Sequence, residues 1–162
     1  MSKLARAIGG AAIALALSVG SVAAAAPTTV EVSLHSSQPN FLACPGFAVH
    51  AEIDVSRRIT TFYDAAGAPI RIVFHVTGIG TLSNPLTGKS LPDEGHFTRT
   101  TDLVAGTTTF SGSLRVDTAP GFGAVYQVVG RITFGPDGSL QFEAGPHDDL
   151  DGNLGAICAY LG

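Results

Sequence analysis

Apolar and polar residues alternate along most of this chain, and a period of two predicts strands. Thr28, Val30, Val32 and Leu34 stand against Thr29, Glu31, Ser33 and His35. Residues 47–55 are the cleanest case: Phe47, Val49, Ala51, Ile53 and Val55 share one side, and Ala48, His50, Glu52 and Asp54 share the other. Residues 57–63 continue that strand after a bend or open the next one. Residues 69–77 set Ile70, Ile72, Phe74 and Val76 against Arg71, Val73 and His75. Residues 95–103 are a further strand. Residues 107–118 set Phe110, Leu114 and Val116 against Thr109, Ser111, Ser113, Arg115 and Asp117. Residues 124–134 are apolar on both sides apart from Gln127 and Arg131, as in a central strand. Leu140, Phe142 and Ala144 alternate with Ser139, Gln141 and Glu143.

Between these runs stand turn residues. Asp64-Ala65-Ala66-Gly67, Asn84-Pro85-Leu86-Thr87-Gly88 and Pro136-Asp137-Gly138 are tight turns, with Pro fixing φ and Gly free to reverse it. Residues 36–46 hold Pro39, Cys44 and Pro45 and read as a loop. Gly78 and Gly80 read as a bulge or sharp coil, and Asp93, Glu94 and His96 as a loop cluster. Leu154, Ile157, Cys158 and Leu161 have the spacing of a short helical turn.

About seven to nine strands with turns roughly every 8–12 residues predict an all-β domain, a sandwich or a barrel. The short, hairpin-like connections favour an up-and-down antiparallel meander. Closing it removes exposed edges, so a single small β-barrel is expected ahead of a β-sandwich.

The first 26 residues have a different pattern. Lys3 and Arg6 precede an uncharged apolar run, residues 8–22, and Ala24-Ala25-Ala26 precedes Pro27. This is the layout of a cleaved signal peptide, residues 1–26, and a secreted domain, residues 27–162. The run is short for a membrane span, and no Cys at the cut points to a lipid anchor. Without Lys3 and Arg6 the nine basic residues become seven, against 13 acidic ones. The mildly acidic domain lacks the clustered positive charge that nucleic acid or an anionic membrane requires. Cys44 and Cys158 are the only cysteines, and in an exported chain an even pair reads as a disulfide.

Chemistry has few places to reside. His50, Glu52 and Asp54 stand on one strand face at about 7 Å intervals, and Arg71 and His75 share a face of another strand. Enclosed together, they would make a polar pocket suited to acid–base work. The strongly apolar opposite faces instead expect these five on the solvent side. Asp149, Asp151 and Asn153 offer oxygen at alternate positions, as calcium loops do. Leu154 stands where that loop needs Gly, and Tyr160 where it needs Glu, so a solvated acidic turn is expected and no metal or other cofactor. No nucleophile elbow, zinc-helix or phosphate-loop motif occurs.

Cys44-Pro45-Gly46-Phe47, Asn84-Pro85-Leu86-Thr87-Gly88-Lys89, Gly95 and Cys158-Ala159-Tyr160-Leu161 together resemble small secreted actinobacterial β-rich proteins. These share an early Cys-Pro, an Asn-Pro-x-Thr-Gly-Lys hairpin and a late Cys. The shared motifs are turn and disulfide motifs, so the resemblance implies architecture and no catalytic residue. A fainter likeness is to barrels of the allene oxide cyclase or dirigent type, which implies an apolar ligand inside the barrel.

The expected function is a secreted or cell-envelope, non-catalytic binding domain, whose partner is a small apolar ligand or an envelope component. A barrel carrying an apolar ligand is the second expectation. A cyclase- or isomerase-like enzyme using His50, Glu52 or His75 is the third. The last two need a cavity of a few hundred Å³, and the enzyme needs His50 and Glu52 to line it.

Overall fold

The structure is a computed structural model that describes residues 25–121, 123–148 and 154–162. The signal-peptide reading therefore falls almost wholly outside the described residues, as do Phe122 and the acidic-loop residues Asp149, Asp151 and Asn153.

Among the described residues, seven strands form one antiparallel sheet in chain order: β1 Thr28–Cys44, β2 Phe47–Tyr63, β3 Pro69–Ser83, β4 Ser90–Asp102, β5 Thr107–Ala119, β6 Gly123–Phe134 and β7 Leu140–Ala144. One helix follows, α1 Gly155–Leu161. The all-β meander is the architecture that the alternation predicts. The sheet is not closed, because β1 pairs only with β2 and β7 only with β6. Closing it would require a ladder between β1 and β7, and β7 is five residues long against 17 in β1.

Three local readings are corrected. Residues 36–44 are not a loop: β1 runs on through them, with a register shift between Gln38 and Leu42 that absorbs Pro39. Gly78 and Gly80 lie in an unbroken β2–β3 and β3–β4 register. Asp93, Glu94 and His96 belong to β4, paired with β3 throughout.

Ladder register sorts the side chains onto two faces. Ala51, Leu82 and Leu91 are cross-strand neighbours on one face, as are Arg57, Val76 and Phe97 farther along. Most of the buried core occupies one end of that face: Val49, Ala51, Leu82, Leu91, Tyr126 and Val128, with Ile157 and Leu161 from α1, while Ile132, paired with Phe110, is buried toward the other end. Ile157 and Leu161 lie four residues apart, so one side of a single helical turn seals this end. The bond between Cys44 and Cys158, with Cα atoms 5.4 Å apart, ties α1 to the end of β1.

The β3–β4 hairpin secures the far end of the helix. Buried Asn84 donates from Nδ2 to the Leu161 carbonyl at 3.1 Å, and its Oδ1 accepts from Leu86 N at 2.9 Å. Thr87 Oγ1 donates to the same carbonyl at 3.4 Å, and Lys89 Nζ donates to the Tyr160 carbonyl at 3.3 Å. The last carbonyls of a helix have no partner within it, and a cation beside them also suits the helix dipole. The Asn-Pro-x-Thr-Gly-Lys segment is thus a C-terminal clamp for α1.

Candidate ligand groove

Helix α1 covers only one end of the apolar face. At the other end Ile59, Ile72, Phe74, Val76, Phe97 and Phe110 are half-buried. Along the free edge, Val30, Val32 and Leu34 are 58%, 38% and 37% exposed. Here lies a groove with two adjoining lobes that share Arg57, Val76 and Phe97. The inner lobe, about 260 Å³, extends toward Phe41, Ile53 and Leu114, with Asp93 and Arg115 in its wall. The outer lobe, about 190 Å³, is completed by Phe74, Arg99 and Phe110. An aromatic row supports it, Phe97 to Phe110 to Phe134, with 6.2 Å between successive centroids.

Charged residues reach this greasy face for different local reasons. Arg57 and Arg99 simply continue the alternation of β2 and β4, as the pairings Arg57↔Val76 and Phe74↔Arg99 show. Arg115 and Asp117 arrive through a bulge. The β5–β6 register slips between Ser113 and Arg115, so Arg115 opposes Val128 and Asp117 opposes Tyr126. One extra residue reverses every later side chain, which overturns the expectation that Arg115 and Asp117 share the polar face with Thr109 and Ser111. Gly95 leaves room for the bulge, since a Cβ there would stand 2.5 Å from the Leu114 carbonyl oxygen.

The bulge assembles a buried cluster. Arg115 Nε lies 3.2 Å from Asp117 Oδ1 and 3.3 Å from Asp93 Oδ1. Arg115 Nη2 is 2.8 Å from Asp117 Oδ2, as an ion pair off the hydrogen-bonding direction. The guanidinium also lies over the Phe41 and Tyr126 rings, at 5.0 and 4.9 Å. Asp117 is fully buried and faces Asp93 across the ladder. Burial, opposed by Arg115 and reinforced by Asp93, pushes its carboxyl up to about 7. One guanidinium thus stands against two carboxyl groups, and the cluster carries no excess positive charge.

Arg57 and Arg99 differ from Arg115. Among the described residues neither has a carboxylate partner. The Arg99 guanidinium stacks on Phe74 at 3.9 Å, and its buried Nε finds no acceptor.

The sequence-predicted candidates lie elsewhere. His50, Glu52 and Asp54 are on the opposite, polar face, in a surface network with His35 and Ser37. His35 bridges Asp54 and Glu52, both at 2.9 Å. Glu52 accepts from Ser37 Oγ at 2.6 Å and meets His50 Nε2 at 2.8 Å. The Asp54 hydrogen bond raises the His35 imidazole above its ordinary value, and the Ser37 hydrogen bond lowers the Glu52 carboxyl. His75 bonds Thr98 at 3.1 Å, and Arg71 stacks on Phe62 at 4.2 Å. Arg71 pairs with Phe62, twelve residues along β2 from His50, or roughly 40 Å in an extended strand. The five residues do not meet in one pocket, and neither His50 nor Glu52 lines the groove. A wider hollow of about 490 Å³ on the polar face includes His75, His96, Arg58 and Glu31. Its polar groups already answer one another, as in His75 with Thr98, His96 with Thr77 and Arg58 with Glu31.

Alternation could have found Arg57 and Arg99, which sit at apolar positions of their strands. Nothing in the pattern marks the bulge that turns Arg115 and Asp117. Compared with protein-family models, with curated proteins and with solved structures, the chain finds no match.

Proposed function

We propose that this protein is an exported, non-catalytic binding domain whose ligand seat is the uncovered end of its apolar face. One observation carries the reading: α1 and its disulfide seal one end of that face, while the other end keeps a two-lobed groove lined by Val76, Phe97 and other apolar side chains. Ligand sites combine an apolar lining with a few placed polar groups, and this groove has both. The export signal fits the disulfide, since such bonds persist outside the cytosol. Histidine-based catalysis gains no support, because His50, Glu52 and His75 lie outside the groove.

Titration calorimetry with dodecanol, an uncharged apolar chain, tests the seat. Saturable binding that weakens at least tenfold in Val76→Asn is expected, since an uncharged amide would place a polar group in the apolar lining. Absence of binding by dodecanol and by every other twelve-carbon chain tried on the folded domain defeats the proposal. Sequencing the N-terminus of protein recovered from culture medium tests export, and Pro27 is the expected first residue.

A further inference from the structure

The groove differs in charge along its length. In the inner lobe Arg115 is balanced by Asp93 and Asp117. In the outer lobe Arg57 and Arg99 flank Phe74, Val76, Phe97 and Phe110, and among the described residues no carboxylate answers either guanidinium. Ladder register sets the two arginines two strands and one row apart, about 12 Å between Cα atoms on ideal spacings. Both long side chains can reach a group held between them. Arg99 is held partly in place by the Phe74 ring, and its buried Nε lacks an acceptor. A buried donor without an acceptor is costly to leave unmade, and an ion pair inside an apolar lining is stronger than one in water.

Resting on the binding function above, we infer that the ligand is a single-chain amphiphile with a terminal carboxylate. Its apolar body lies in the inner lobe among Phe41, Ile53 and Leu114, and its head lies between Arg57 and Arg99. Guanidinium forks match carboxylate geometry, and a chain threading both lobes joins the neutral end of the groove to the cationic one.

The test compares three probes of equal chain length below their micelle concentrations: dodecanoate, dodecanol and dodecyltrimethylammonium. Each is titrated by calorimetry into the mature disulfide-bonded domain and into Arg57→Gln, Arg99→Gln and the double variant, with circular dichroism confirming each fold. Dodecanoate is expected to bind at least tenfold more tightly than dodecanol, and dodecyltrimethylammonium more weakly than either. A charge-assisted contact corresponds to about tenfold or more in affinity, so each variant should lose that factor for dodecanoate and little for dodecanol. Equal binding of all three probes, or unchanged dodecanoate affinity in the folded double variant, overturns the anionic-head assignment while leaving the apolar seat intact. Failure of every probe to bind overturns both.

Discussion

The two ends of the apolar face begin from the same alternating pattern and end in different states. Toward Val49, Leu82 and Leu91 the face is covered by a seven-residue helix, a disulfide and a hairpin clamp, and those three residues are fully buried. Toward Phe74, Val76 and Phe97 the face opens into the groove, and there the same kind of side chain is only half-buried. A strand pattern assigns a residue to a face, but burial also requires something placed on top. A cover just one helix wide protects one end, and the other remains available to a ligand.

Substitutions at the two ends should therefore separate sharply. Removing the staple and hollowing the sealed core should have the largest effects. Cys158→Ser, or reduction of the bond, is expected to lower stability by about 2–5 kcal/mol in urea unfolding, because the bond closes a long loop. An equal midpoint with and without reductant would contradict its role at the covered end. Leu82→Ala leaves a cavity in the sealed core and should lose about 2–5 kcal/mol. Ile72→Ala on the open end should lose less than half as much, since solvent already reaches that side chain. Equal losses would erase the distinction between the ends.

The clamp gives a finer test. Asn84→Ala leaves the buried Leu161 carbonyl short of a donor and should lose about 1–3 kcal/mol, with α1 loosened in hydrogen exchange before β3 and β4. The charge cluster adds a pH dependence. Asp117 binds its proton more tightly folded than unfolded, because its carboxyl is raised from 3.8 to about 7 beside Arg115 and Asp93. Between those values the folded state holds more protons, so stability falls as pH rises from about 4 to 7 and levels off above. Asp117→Asn should flatten that slope in melting curves, while a rising slope would reverse the assignment. The smallest effect belongs to the polar face: the His35 side chain is exposed, and His35→Ala should leave the melting midpoint at neutral pH unchanged.

Alternation made most of the fold legible. Phe47, Val49, Ala51 and Ile53 face inward as their spacing requires, and His50, Glu52 and Asp54 lie on the solvent side. Cys44 and Cys158 are joined. Legibility failed where a signal had two readings. Pro39 looked like a loop residue, yet an edge strand admits Pro at an irregularity. The candidate site was mostly hidden, because Arg115, with Asp117 buried beside it, turns to the groove face through a one-residue slip. That slip depends on Leu114 packing over Gly95, a contact between two strands that one strand's pattern does not encode.

The sulfur bridge has a mechanical corollary. A pull on the two ends of the domain runs along β1 to Cys44, crosses to Cys158 and leaves through the last turn of chain. Strands β2 to β7 lie within the bridged segment, whose ends are 114 residues apart in sequence, and bear none of the tension directly. Force can peel β1 from β2, but full extension must wait until the bridge is cut.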